Sequence, residues 1–125
     1  MVTAAEAETQ KKAAEASENA LKLTTLDRQR VQVALSSLGF DTRGSDGAFG
    51  PRSREMLSSW QKARNQPTTG FLTGTQYQAL LREAAPALQK YEDDQRKKKE
   101  EELKRIEEEE KKKKEELEKI EKKGF

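Results

Sequence analysis

The stretch of sequence that decides the fold is Arg30-Val-Gln-Val-Ala-Leu-Ser-Ser-Leu-Gly-Phe40. Its apolar residues recur at i, i+3, i+4 and i+7, which is one face of an α-helix: Val31, Ala34, Leu35 and Leu38. Thr24, with Asp27 three residues later, predicts a capping box at the start of this helix. Gly39 predicts its end, because glycine readily takes the left-handed conformation that follows many helices.

Two further short helices are predicted beyond Gly39, separated by loops that contain glycine. Residues 41–47 form the first loop, since they are turn-forming throughout. Pro51 suits the first position of the next helix, whose apolar face consists of Met56, Leu57, Trp60 and Ala63. Thr73 is the predicted N-cap of the third helix, whose face consists of Tyr77, Leu80 and Leu81. No segment alternates for long enough to predict a strand, so the class is all-α with a small three-helix bundle.

Composition divides the chain of 125 residues into three regions. The chain carries 25 basic and 23 acidic residues, and its hydrophobic share of 32% is too small for one globular domain of that length. Residues 24–85 hold only 5 acidic and 8 basic residues and include the single tryptophan. We therefore predict three parts: an alanine-rich helical segment at 1–23, the helical domain at 24–85, and a long charged helix at 86–125.

The N-terminal segment is rich in Ala, Glu, Lys and Gln, which favour helix. A thin apolar stripe recurs along it at helical spacing: Ala13, Ala16, Ala20 and Leu23. The stripe is too small to hold a helix alone. The segment therefore packs on the central domain, pairs with a partner helix, or frays.

The C-terminal segment alternates short blocks of Glu and Lys. Opposite charges four residues apart, such as Glu107 and Lys111, can stabilise a solvated helix without a core. Four apolar residues also fall on the a and d positions of one heptad frame: Leu103, Ile106, Leu117 and Ile120. Because Glu110 and Lys113 interrupt that seam, we expect a largely monomeric spacer helix, with a weak helix-mediated dimer as the alternative.

Four motifs in the central region carry a resemblance to a known family. They are the stretch at 30–40, Asp46-Gly-Ala-Phe-Gly-Pro51, Trp60-Gln-Lys-Ala-Arg64 and Thr69-Gly-Phe-Leu-Thr73. In this order they resemble the peptidoglycan-binding-like domain of bacterial cell-wall proteins, over about residues 24–83. The resemblance implies a helical binding module for peptidoglycan, or for a wall-derived peptide or glycan, within a longer protein. It also implies a periplasmic or cell-envelope location, although residues 1–10 show no export signal.

Exposed polar side chains in and near these motifs are the candidate ligand-binding residues. Arginine forks match the carboxylates of wall peptides, and Asp, Gln and Thr can hydrogen-bond sugars or peptide amides. The set comprises Arg43, Asp46, Arg52, Arg54, Gln61, Arg64 and Thr69. For each, the alternative is a solvated surface residue or a turn cap. The predicted core comprises Leu35, Leu38, Phe40, Phe49, Leu57, Trp60, Phe71 and Leu80.

The residue types also argue against several functions. The chain has no Cys and no His, which removes thiol nucleophiles, imidazole catalysis and the commonest zinc ligands. We expect no enzyme activity, no metal and no cofactor. No apolar run is long enough to span a membrane. The basic residues are too scattered to favour nucleic-acid binding. The alternative that stays open is a structural spacer or protein-interaction cap on a helical rod.

Overall fold

The computed structural model describes residues 3–124 and folds this range into five α-helices with no strand. The helices are α1 (Ala4–Leu21), α2 (Thr25–Ser37), α3 (Pro51–Ala63), α4 (Gly74–Glu83) and α5 (Ala85–Lys123). The all-α class is confirmed, with three short helices flanked by the alanine-rich α1 and the charged α5. One compact unit ends at Gln89 and a second begins at Lys90. Residues 1, 2 and 125, which the predicted terminal segments include, lie outside the described range.

The helix ends follow the local signals in the sequence. Thr24 and Asp27 each accept a hydrogen bond from the other's backbone N–H at 3.0 Å, which is the predicted capping box of α2. Gly39 has a φ of 97°, and its N–H bonds back to a carbonyl of the last turn. Pro51 begins α3, and Thr73 caps α4 through a second capping box. Local sequence therefore determines where each helix of the bundle starts.

The core of the first unit is one buried apolar cluster. Its members are Val31, Ala34, Leu35, Leu57, Trp60, Leu72, Leu80, Ala84 and Leu88. Trp60 is the largest of them and is only 2% exposed. Truncating it to alanine would cost about 3–5 kcal/mol, so this ring is central to the stability of the bundle.

The predicted core residues divide between the centre and the edge of this cluster. Four lie in the cluster: Leu35, Leu57, Trp60 and Leu80. Three are half-buried and pack against its outside: Leu38, Phe40 and Phe49. Phe71 is partly exposed and lies outside the cluster, where the Arg54 guanidinium covers its ring. A domain this small has too little interior to enclose every aromatic ring.

α1 packs on the bundle through a face that the alanine stripe does not predict. Ala14 and Glu18 are buried. Three alanines of the stripe are instead exposed: Ala13, Ala16 and Ala20. The Glu18 carboxylate determines the face, because it accepts a hydrogen bond from the backbone N–H of Leu72 at 2.9 Å and pairs with Arg54 at 2.8 Å. The predicted face is therefore wrong, and packing on the central domain is the alternative that the structure selects.

From Lys90 onward, α5 is a helix of charged and mostly exposed residues. Ion pairs join residues three apart, as between Asp93 and Arg96 at 2.8 Å and between Glu102 and Arg105. Each such pair stabilises a helix by only about 0.2–0.5 kcal/mol, so their effect is cumulative. Between residues 3 and 124, no helix is long and apolar enough to cross a lipid bilayer.

Candidate binding cleft

Gln61, a predicted ligand-binding residue, is buried and holds the loop between α3 and α4. Its Oε1 accepts hydrogen bonds from the backbone N–H groups of Thr69 and Gly70, at 3.0 and 2.9 Å. Its Nε2 donates to the carbonyl of Phe71 at 2.8 Å and to Oε1 of Gln76 at 3.0 Å. Thr69 belongs to the same loop, and its hydroxyl donates to the Phe71 carbonyl at 3.0 Å. The internal bonds of these two residues fix the loop.

Gln32 does the same for the loop between α2 and α3. Its Oε1 accepts from the N–H of Gly47 and its Nε2 donates to the carbonyl of Ala48, both at 2.9 Å. Gly47 and Gly70 have similar φ values, 82° and 79°, so the two loops repeat one design. Sequence reasoning missed Gln32. The sequence contains a signal for it, because a helical glutamine precedes each of the two loops. Gln32 precedes the loop with Asp46-Gly47, and Gln61 precedes the loop with Thr69-Gly70.

Two of the four candidate arginines, Arg54 and Arg64, make ion pairs within the first unit. The Arg54 guanidinium pairs with Glu18, donates to the carbonyl of Gly70 at 3.1 Å, and stacks on Phe49 and Phe71 at 5.1 and 4.1 Å from the ring centroids. Both hydrogen bonds use the NH1 nitrogen, and with the ring contacts they tie Arg54 to α1 and to the loop before α4.

The Arg64 guanidinium binds both carboxylate oxygens of Glu83. Its central carbon also lies 6.0 Å from the centroid of the Phe40 ring. The Arg64 hydrogen bond, together with one from the Trp60 indole N–H, lowers the pKa of Glu83 below its usual 4.5. This pair connects α3 to α4.

The remaining candidates, Arg43, Asp46 and Arg52, line one open cleft of about 210 Å³. Its walls are formed by Gln32 of α2, by the first turn of α3, and by six residues of the loop between these helices: Thr42, Arg43, Gly44, Asp46, Ala48 and Gly50. The structure thus brings together three of the seven predicted binding residues.

The Arg43 guanidinium is exposed and makes no hydrogen bond or ion pair within residues 3–124. Its backbone has a φ of 58°, a conformation supported by the bond from its N–H to Oδ1 of Asp41 at 2.8 Å. Arg52 is partly held, because its Nε donates to the Asp41 carbonyl at 2.9 Å while an NH1 atom lies 3.9 Å from Glu55. Arg43 is therefore the less constrained of the two cations that line the cleft.

Asp46 gives the cleft its negative charge. The backbone N–H of Ala48 and the side-chain amide of Gln32 donate to its Oδ1 at 3.0 and 3.2 Å, and these bonds lower its pKa below the usual 3.8. The carboxylate therefore stays ionised and acts as a hydrogen-bond acceptor rather than as an acid at neutral pH. Within residues 3–124, no group of three or more acidic side chains is placed to hold a metal ion.

The cleft thus presents two guanidinium groups and one carboxylate on the surface of a small three-helix bundle. Residues 24–80 match the family model described as "Putative peptidoglycan binding domain", which confirms the resemblance that the four motifs carry. The match covers α2, α3 and most of α4, and it leaves out α1 and α5. No curated protein and no solved structure matches the chain.

Proposed function

We propose that the domain at residues 24–85 is a non-catalytic module that recognises bacterial cell-wall peptidoglycan. The observation that carries this proposal is the family match over residues 24–80. Since peptidoglycan lies outside the cytoplasmic membrane, the proposed location is the periplasm or the cell envelope. Modules of this kind usually accompany a catalytic or effector domain, so we propose the same role here within a longer protein.

We further propose that the ligand occupies the cleft of Arg43, Asp46 and Arg52. The stem peptides of the wall carry carboxylates, and a guanidinium binds a carboxylate through two parallel hydrogen bonds. Arg43 is the natural partner because nothing in residues 3–124 occupies its guanidinium. Asp46 can accept N–H or O–H groups from the peptide or the sugar through its second carboxylate oxygen. The other four candidates support the fold instead.

Binding without catalysis is favoured by the state of the carboxylates in this domain. A general acid needs a raised pKa, whereas the hydrogen bonds to Asp46 and Glu83 lower theirs. Asp27 is engaged in the capping box of α2, and Asp41 binds the Arg43 backbone N–H. These contacts engage four of the five carboxylates of the domain, and the fifth, Glu55, is exposed and lies 3.9 Å from Arg52.

Co-sedimentation with purified, insoluble peptidoglycan tests the proposal. The intact chain should pellet with the wall, and Arg43→Asn should bind about 10-fold to 100-fold more weakly, as expected when a charged hydrogen bond is lost. Asparagine is chosen because it tolerates the left-handed backbone at this position. The matched control is Arg82→Asn, at an exposed arginine that does not line the cleft.

The outcomes separate the function from the site. If the wild-type chain stays in the supernatant while its Trp60 emission shows a folded core, wall binding is wrong and the spacer alternative is favoured. If Arg43→Asn and Arg82→Asn both pellet like the wild type, wall binding stands but the cleft is not the site.

A further inference from the structure

α5 carries four large apolar side chains that remain exposed. Their exposed fractions are 58% for Leu103, 40% for Ile106, 59% for Leu117 and 64% for Ile120. Leu103 and Ile106 form one pair and Leu117 and Ile120 the other, with a spacing of three positions within each pair and of eleven positions from Ile106 to Leu117. All four lie on the same a and d frame, so they share one face of the helix.

This face has an internal two-fold symmetry in its sequence. A dyad placed between Lys111 and Lys112 exchanges each a position with a d position. It pairs Leu103 with Ile120, Ile106 with Leu117, and Glu110 with Lys113. Antiparallel coiled coils build their core from a-to-d layers of this kind, so all six seam positions find a complementary residue in a second copy of the same helix.

The charged pair at the centre of the seam distinguishes the two possible orientations. In a parallel, in-register dimer, Glu110 would face Glu110 and Lys113 would face Lys113, and both contacts repel. In the antiparallel dimer, Glu110 of each copy faces Lys113 of the other, and both contacts attract. The charged gap that disfavours a parallel coiled coil therefore favours the antiparallel one.

We propose that residues 103–120 of α5 pair with the same segment of a second copy in antiparallel orientation. The flanking e and g positions show that this association is weak. Glu107 meets Lys114 and Glu102 meets Lys123, but Glu109 meets Glu116 and Glu100 meets Glu121, so attraction and repulsion are balanced there. The affinity then depends on the four apolar layers and the central charge pairs. This inference does not depend on the wall-binding function.

Charge reversal tests the pairing in the full chain. By sedimentation equilibrium, Glu110→Lys should self-associate roughly tenfold or more weakly than the wild type, because two attractive contacts become repulsive. Adding Lys113→Glu to that variant should restore the wild-type association, since the pair is then inverted but again complementary. The matched control is Glu108→Lys, which makes the same charge change on the outward face and should leave the association unchanged.

Spin labels test the orientation, and the absence of native cysteine makes single labelling sites simple to introduce. In the antiparallel pair, labels at Glu101→Cys are offset along the axis by 21 residues, or about 32 Å. Labels at Lys112→Cys lie beside the dyad and are separated only by the width of the two helices, about 20 Å. The expected result is therefore a long distance at 101 and a short one at 112.

Three results would overturn the proposal. Short distances at both positions would show a parallel dimer. If the wild type keeps a monomer mass at all protein concentrations up to about 1 mM, the helix does not pair. Equal association of Glu110→Lys and Glu108→Lys would show that the charged layer does not contribute.

Discussion

Gln61 provides the sharpest test of how the loops of the domain are held. The perturbation is Gln61→Leu, which keeps a buried side chain of similar size but removes both the donor and the acceptor. Gln61 is 0% exposed, so water cannot replace the lost bonds without opening the core. The backbone N–H of Gly70 then loses its partner, whereas the Thr69 N–H keeps its bond to the Pro67 carbonyl and the Phe71 carbonyl keeps its bond from the Thr69 hydroxyl.

The magnitude follows from three lost hydrogen bonds, of which one leaves a buried group unpaired. The unpaired Gly70 N–H costs about 1–3 kcal/mol and each of the other two bonds about 0.5–1.5 kcal/mol, while apolar packing of the leucine offsets part of the sum. We expect a loss of about 2–4 kcal/mol, which is a large part of the stability of a domain this small. For 60–100 residues, 1 kcal/mol corresponds to roughly 4–8 °C, so the midpoint should fall by about 8–32 °C.

Trp60 fluorescence during thermal unfolding is the appropriate assay. It is the only tryptophan and lies in the core, so it reports the bundle without the large helical signal of α5. The matched control is Gln78→Leu, at an exposed glutamine on α4. A midpoint for Gln61→Leu close to that of Gln78→Leu would refute the conclusion that Gln61 fixes the loop.

Three further predictions concern the packing of the same unit. In a denaturant titration, Gly47→Ala should lower the free energy of unfolding by about 2 kcal/mol or more. The reason is that φ of Gly47 is 82° and the new Cβ would lie 2.5 Å from a side-chain atom of α2. The control is Gly50→Ala, where the Cβ has open space, and it should unfold near the wild-type midpoint. Glu18→Ala should detach α1 from the bundle, because it removes the bonds of this carboxylate to Leu72 and Arg54. The α1 amides should then exchange hydrogen faster, with little change in the exchange of the α2 amides. Unchanged α1 exchange would contradict the role of this carboxylate. Because the folded pKa of Glu83 is lowered, this carboxylate adds stability above pH 4.5 that is lost as the pH falls through the folded pKa. The difference in unfolding midpoint between wild type and Glu83→Gln should therefore shrink from pH 7 to pH 3. A constant difference would mean that the ion pair with Arg64 does not stabilise the fold.

The helices of the bundle could be predicted from sequence because their signals are local. Capping at Thr24 and Thr73, proline at position 51 and the left-handed Gly39 each act within one turn of helix. The apolar spacing that begins at Val31 likewise needs no knowledge of the rest of the chain. These features also carried the resemblance to the family, since its motifs coincide with helix starts and loop glycines.

The face of α1 could not be predicted, because its contact with the bundle is polar and distant in sequence. Glu18 meets Leu72 across 54 residues, and no spacing rule anticipates a buried carboxylate that accepts a backbone N–H. The alanine stripe followed apolar periodicity alone, which is a weak signal in a segment with few large apolar residues.

The candidate site was predicted only by residue type, and type does not reveal which side chains are already bound. Arg43 and Arg54 have the same chemistry, yet Arg54 contacts Glu18, Gly70 and two rings while Arg43 is open to the cleft. The buried position of Gln61 was equally hidden, since glutamine is usually exposed. Tertiary contacts place three of the seven candidates together in one cleft.

The most direct test of the account is an amide chemical-shift titration of the ¹⁵N-labelled chain with a soluble wall fragment whose stem peptide ends in a free carboxylate. The shifts should concentrate in residues 42–53, which contain most of the cleft lining, and Arg43→Asn should reduce them while leaving the rest of the spectrum unchanged. Shifts confined to other parts of the bundle, or no shifts at millimolar fragment, would contradict the claim that this cleft recognises the wall.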